Sequence, residues 1–320
     1  MGFKYKQLVS EWNIAAAGAN LTNQPLTAGV PIAETYLGIY GQLVTAGNAM
    51  TLETWLNVLS EIKVTRAGQT QIEIENGIDL LALELFPWFD HDIAYTSGGT
   101  SGHFMYAKGL TIPCNFPVGH QGEWQLTVER TDNAGAINEV LSVAEGQGYY
   151  AHNWLSQQML FGAIPGVSGP PPPVAGGPGG RHFHIVKRLY APAATGWNSG
   201  FDIGTEGILI GLLVWQYHEE GAATAKTLTD LYQVRLDIGG ETVIETDALT
   251  HQGRHSRLSG QSHTALQSQE MAKQAIIDQY VCWDFADQPW NCKGKSVVLR
   301  TNAGVAGGNI RAYPIYLVDW

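Results

Sequence analysis

The sequence predicts an all-β chain built as two similar β-sandwiches in tandem, with a few short inserted helices. Three observations carry this reading: an internal repeat near 170 residues, a Pro/Gly tract just past the midpoint, and many short strands closed by Gly and Asn turns. At 320 residues the chain suits one large domain or two medium ones.

The first repeated block is a hairpin. Ile62 to Gly77 reads IKVTRAGQTQIEIENG and Val234 to Asp247 reads VRLDIGGETVIETD. Val64 and Val234 lie 170 apart, and the run Gly68 to Glu73 parallels Gly240 to Glu245 at 172. Both read as strand, Gly-bearing turn, strand. The second block sets Glu123 to Gly135 beside Lys293 to Gly304, with Val128, Arg130 and Thr131 matching Val298, Arg300 and Thr301 at 170 before a shared Asn-Ala-Gly turn. Cys114 with Phe116 and Cys282 with Phe285 form a third match, at 168 and 169. Common order at nearly one offset argues for duplication.

Between the copies, twelve of the seventeen residues from Ile164 to Gly180 are Pro or Gly, including Pro170 to Pro173. Four consecutive prolines favour an extended polyproline segment and can join no central strand. The expected division is residues 1–163 as an N-terminal unit with an N-terminal arm, 164–180 as a linker and 181–320 as a C-terminal unit.

Strands are predicted in the first copy at Gln71–Glu75, Asp79–Leu85, His103–Tyr106, Leu110–Cys114, Trp124–Glu129 and Glu139–Val143. In the second they fall at Gly207–Tyr217, Tyr232–Asp237, Thr242–Thr246, Tyr280–Phe285, Ser296–Arg300 and Arg311–Val318. The clearest helix is Thr264–Gln279, whose apolar face includes Leu266, Ile276 and Ile277 behind a Thr264/Gln267 capping box. Shorter candidates are Tyr5–Ile14, Thr51–Leu59 and Ala151–Leu160.

Composition excludes several functions. Eighteen basic against twenty-nine acidic residues give a net charge of −11, and no window is strongly basic, so direct nucleic-acid binding is disfavoured. The longest apolar run, Ile208 to Trp215, falls far short of the roughly 20 residues of a membrane span. The N-terminus lacks a signal-peptide core, and Lys6 stands where myristoylation wants Ser or Thr. With no secretion signal, Cys114, Cys282 and Cys292 read as buried thiols, with a Cys282–Cys292 bridge left open.

No pattern carries catalytic chemistry. His182 and His184 supply an HxH of the cupin kind, but Lys187 and Arg188 occupy the region where its carboxylate belongs, so the expectation is a strand entry with two surface imidazoles. His251, His255 and His263 read as a solvated loop, Asp90-His-Asp92 as a turn, Glu219-Glu220 as a strand end and Gly98 to Gly102 as a loop. The sequence has no GxSxG elbow and no GxxxxGK[ST] phosphate loop. No catalytic residue, metal ligand or cofactor is assigned, and the chain is not expected to be an enzyme.

A tandem of two β-sandwiches, acidic and Gly-rich, resembles the double jelly-roll major capsid proteins of tailless icosahedral viruses of bacteria or archaea, many with an internal lipid membrane. The resemblance rests on Ile62–Leu85 with Val234–Leu249, Glu123–Gly135 with Lys293–Gly304, and the helix Thr264–Gln279 inserted between strands. It implies a homotrimer with a pseudo-sixfold outline, contacts between capsomers, and minor capsid and penton or vertex proteins as partners. It also implies a place in the virion after synthesis and assembly in the host cytoplasm. The N-terminal stretch with Phe3, Lys4, Tyr5 and Lys6 suits an arm that touches an internal anionic membrane. Interfaces favour aromatic residues, and Trp12, Trp88, Trp154, Trp290 and Trp320 fall outside predicted strand interiors, so they are expected between subunits. Two other classes remain open: a carbohydrate- or receptor-binding sandwich of the spike or lectin kind, and a bicupin-like metalloenzyme.

Overall fold

Alternating apolar residues and two tight glycine turns organise both halves of the computed structural model. It describes residues 4–13, 21–26, 32–43, 51–86, 89, 93–96, 104–116, 123–130, 137–147, 181–217, 231–248, 273, 276–277, 279–304 and 309–319. The first half contains β1 (Lys4–Asn13), β2 (Leu21–Pro25), β3 (Ile32–Leu43), α1 (Leu52–Leu56), β4 (Leu59–Arg66), β5 (Gln69–Ile74), α2 (Gly77–Ala82), β6 (Ala94–Tyr95), β7 (Phe104–Phe116), β8 (Trp124–Arg130) and β9 (Ile137–Gln147). The second contains β10 (Arg181–Val186), β11 (Arg188–Tyr190), β12 (Gly196–Trp197), β13 (Phe201–Asp202), β14 (Ile208–Tyr217), β15 (Leu231–Ile238), β16 (Glu241–Asp247), β17 (Tyr280–Asp284), β18 (Trp290–Asn291), β19 (Val297–Ala303) and β20 (Asn309–Asp319).

The sheets run β1-β9-β3-β7-β6, then β17-β14-β20-β10-β5-β4-β8-β2, then β12-β19-β15-β16, with β11, β13 and β18 attached at the side. Take β7 as the sixth strand of the first half, and β12/β13 and β17 as the second and sixth of the other. Each half then has one sheet in the order 1-8-3-6 and one in the order 2-7-4-5. That is the jelly-roll order, present twice. The long middle sheet is the 2-7-4-5 sheet of the first roll fused to the 1-8-3-6 sheet of the second.

The repeated hairpins are topological equivalents. Both turns, Ala67-Gly68 (φ 47° and 82°) and Gly239-Gly240 (φ 61° and 89°), have two left-handed residues. That geometry matches the twist of the flanking strands and is why glycine recurs at the second position. The register of the second block differs from its sequence alignment. Val128 is buried while Val298 is half-buried, because the pairings Val64–Leu126 and Leu236–Leu299 make Leu126 and Leu299 the equivalents, 173 apart. An odd shift of three residues inverts the faces of a strand. Cys114 and Cys282 are likewise unmatched: Cys282 packs toward the first roll near the Leu85 carbonyl, while Cys114 lies inside the first roll beside Thr35.

Other elements also depart from the predicted ones. Tyr5–Ile14 is no helix: the chain forms β1, paired antiparallel with β9. Asp79–Leu85 is no strand. Asn76 caps α2 by accepting from the Asp79 N–H at 2.8 Å, and Leu83–Leu85 follow as a 3-10 turn. His103–Tyr106 and Leu110–Cys114 are one strand, β7, carried through Gly109 by a bulge opposite Leu37 and Gly38. Thr51 caps α1 as its side chain accepts from Thr54. Lys273, Ile276 and Ile277 are helical, as predicted for that stretch. Ala151–Leu160 and the tract 164–180 lie outside the described residues.

Two cores result. One lies within the second roll, between Leu209, Leu212 and Val214 of β14 and Val234, Leu236 and Leu299 of the outer sheet. The other fills the first roll and continues without a break to the opposite face of β14 and β20, through Ile208, Ile210, Leu213, Ile315 and Leu317. This two-sided burial explains the uninterrupted apolar run of β14.

Candidate functional site

The feature that sets this chain apart from two sandwiches on a string is the seam between its rolls. At the sheet level, β5 and β10 pair in parallel through Ile72–Ile185 and Glu73–Val186, and the Lys187 N–H donates to the Glu73 carbonyl at 3.1 Å. The Lys187 ammonium spans the joint, 3.7 Å from the Glu73 carboxylate and in direct contact with Glu75.

Beside it sits a buried polar node. Asp79, on the first turn of α2, accepts hydrogen bonds from the Tyr280 and Tyr313 hydroxyls and from Arg311 Nη2 at 3.0 Å. The carboxylate comes from the first roll, and its three donors come from β17 and β20 of the second. Burial first, and the adjacent Asp79 charge second, hold both phenols well above their usual pKa, so they stay donors. Burial opposes the Arg311 charge, but the adjacent Asp79 carboxylate outweighs it and raises its pKa. The guanidinium carbon lies 3.5 Å from the centre of the Trp215 ring, a cation–π contact within the desolvated site.

Apolar packing completes the seam. Phe86, Phe89 and Phe183 form an edge-to-face chain, with ring centres 6.2 and 5.1 Å apart. Gly211 of β14 is required here, because a β-carbon would stand 2.6 Å from the Phe86 ring.

His182 and His184 also lie in the seam, which corrects the expectation of surface imidazoles. His182 is 3% exposed, and both rings meet the Gln71 carboxamide oxygen, at 3.0 and 3.3 Å. The His182 ring packs edge-on to Trp124 at 5.6 Å, and Trp124 stacks on Phe116 at 3.8 Å. Burial, then His184 and Arg66, push the His182 pKa down to about 3. It is therefore neutral at pH 7. Burial also lowers His184 despite Glu206, which lies 3.9 Å away and is held by Arg188 at 2.6 Å. A bicupin needs three or four ligands converging on one point; among the described residues no three His, Cys, Asp or Glu side chains do so.

The expected intersubunit tryptophans are partly visible. Trp12 lies on β1, where a helix was expected, and Trp290 on the short strand β18, half-buried against the second roll's core, where a loop was expected. Trp88, Trp154 and Trp320 lie outside the described residues, as do His251, His255, His263, His91 and Glu219-Glu220. Cys114, Cys282 and Cys292 are buried thiols outside any disulfide, and burial pushes the Cys292 thiol up to about 11. Sequence reasoning missed Asp79, although Asn76 three residues ahead of it is an N-cap signal.

Fold and seam together define a double jelly-roll protein. No family model matches the chain, and no curated protein does. Solved structures do. The chain is similar to the major capsid protein of Sulfolobus turreted icosahedral virus, at 12% identity and a TM-score of 0.69 over 99% of this chain and 97% of that one. It is also similar to the major capsid protein of bacteriophage PM2, at 10% identity and 0.56 over 100% and 98%, and to the PBCV-1 virus capsid, at 8% identity and 0.54 over 99% and 94%. The likeness is one of fold, and it spans both rolls.

Proposed function

We propose that this chain is a major capsid protein whose work is assembly, forming homotrimeric capsomers of pseudo-hexagonal outline in an icosahedral shell. The observation that carries the reading is the end-to-end match of two fused jelly rolls with capsid proteins of three viruses, one of them a bacteriophage. A seam with a doubly buried sheet joins the two rolls through one continuous core, which suits a tile better than a two-domain binding protein. Residues 164–180 serve as the connection between rolls 1–163 and 181–320. Contacts with other capsomers, minor and vertex proteins, and an internal membrane through the N-terminal stretch belong to the same reading, as does residence in the virion. Trp12, Trp88, Trp154, Trp290 and Trp320 remain the aromatic candidates for those contacts.

Native mass after size exclusion tests it. A species near 104 kDa, three times 34.7 kDa, or a larger shell is expected. A monomer stable at high concentration removes the reading and leaves the glycan- or receptor-binding sandwich as the next to test.

A further inference from the structure

The outer face of the second roll carries a row of side chains that the fold itself does not require. Trp197 of β12 stands opposite Asn302 of β19, Asn302 opposite Gln233 of β15, and Gln233 opposite Asp247 of β16. The row crosses four strands at one level, and three interstrand spacings of about 4.8 Å give it a length of roughly 14 Å. A bulge between Leu231 and Gln233 adds Tyr232 beside it. Trp197, Tyr232 and Leu189 are the large apolar side chains exposed among the described residues, at 47%, 51% and 57%, and two of them meet here.

The duplication supplies an internal control. The pairings that match Leu126 with Leu299 and Val64 with Leu236 set Glu129 opposite Glu61 at the same level of the first roll. Two carboxylates stand there where the second roll has two carboxamides, and both sheets form, so the carboxamides answer a need other than folding. Glu61, Lys63, Thr127 and Glu129 also stay half-exposed although their roll is joined to the other. This face is not the side on which rolls join.

Asn302 Nδ2 donates to Gln233 Oε1 at 3.0 Å. That bond orients both carboxamides and leaves Asn302 Oδ1 to accept and Gln233 Nε2 to donate, neither with another partner among the described residues. Trp197 is held as well: the Asn198 N–H donates to the Thr301 carbonyl at 3.1 Å, and the Asn198 side chain accepts the Gly200 N–H at 2.9 Å. An exposed indole beside a fixed acceptor and donor matches a pyranose, which has a face of C–H groups and a rim of hydroxyls that both donate and accept. Charge narrows the choice of sugar. Asp237 already holds Arg235 and Arg300, at 2.9 and 3.2 Å, while Glu245 stands opposite Arg235 and Asp247 closes the row. Three carboxylates against two guanidiniums disfavour a sugar acid.

We propose that this row is a saccharide site: Trp197 stacks on the ring of a neutral sugar, Asn302 and Gln233 bond adjacent hydroxyls, and Asp247 and Tyr232 meet the next unit of a short oligosaccharide. The site goes beyond assembly, lies within one roll of one chain and needs no trimer.

The purified chain on a printed array of neutral and acidic oligosaccharides, followed by titration calorimetry with the best-bound neutral member, tests it. At least one neutral oligosaccharide should bind, and sialylated or sulfated ones should not. Trp197→Ala and Asn302→Ala should each raise Kd about tenfold or more, with native mass and melting temperature unchanged. Glu61→Ala, at the equivalent level of the first roll, should leave Kd as it is. No binding to any neutral member, a preference for acidic sugars, or binding that survives both variants overturns the site. A Trp197→Ala variant that changes native mass in a protein that binds no glycan overturns it in favour of a contact between protein chains. Should one variant fail to fold, judged by far-ultraviolet circular dichroism, the other decides. Native mass keeps the two readings apart: a trimer that binds no neutral oligosaccharide loses the site and keeps the capsid, and a monomer that binds one through Trp197 does the reverse.

Discussion

The two sheets of the second roll make opposite use of the same β geometry. The sheet containing β14 and β20 is buried on both faces, one against its own roll and one against the first roll's Phe86, Phe89 and α2. The sheet of β15, β16 and β19 is buried on one face and shows Arg235, Arg300, Glu245 and the half-exposed Trp197 on the other. A strand buried on both faces has no alternation to read, whereas one buried on a single face alternates. The first kind marks where a second body sits, and here that body is the other half of the chain.

That contrast is open to measurement, most severely at the ion pairs. Asp79 and Arg311 are 0% and 11% exposed at the side chain, and Asp237 and Arg300 are 12% and 43%. Asp79→Ala strands a buried guanidinium and two phenols, so chemical denaturation is expected to show a loss of about 3–5 kcal/mol. Asp237→Ala, on the outer sheet, should cost no more than about 1 kcal/mol. Equal losses at the two sites would erase the distinction between the sheets.

Acid should act through the seam as well. His182 has a folded pKa of about 3 against an ordinary 6.5, so the unfolded chain binds a proton that the folded one refuses. Its contribution is whole above pH 6.5 and is lost as pH falls from there toward 3, at about 1.4 kcal/mol per pH unit where the slope is full. His182→Phe should flatten this limb of a stability–pH curve, and an unchanged slope would assign the acid sensitivity elsewhere.

Gly211→Ala pushes a methyl into the Phe86 ring and should cost about 1–3 kcal/mol in a thermal or denaturant melt. Gly68→Ala and Gly240→Ala meet open space but force a left-handed alanine, at about 1 kcal/mol each. Matching values at these two turns are expected from the duplication; a large difference would break the equivalence of the hairpins.

Much of this fold is legible in the sequence because turns and single-sided strands write themselves locally. The paired glycine hairpins, the order of the repeats and the short capped α1 follow from turn chemistry and alternation. The seam is not local. β1 reads as amphipathic in either period, Asp79 looks like the head of a strand until Asn76 is recognised as its cap, and His182 looks solvated because Gln71 lies 111 residues away. The repeat offset misleads by three residues for a related reason. Val128 and Val298 share an identity, but pairing with β4 and β15 decides which face each one shows.

In the capsid reading the rolls of three copies tile a closed threefold ring. Negative-stain electron microscopy of the purified protein tests it most directly. Class averages with threefold symmetry and six lobes are the expected result. Isolated two-lobed particles at concentrations well above those of the grid, confirmed by native mass, would contradict it.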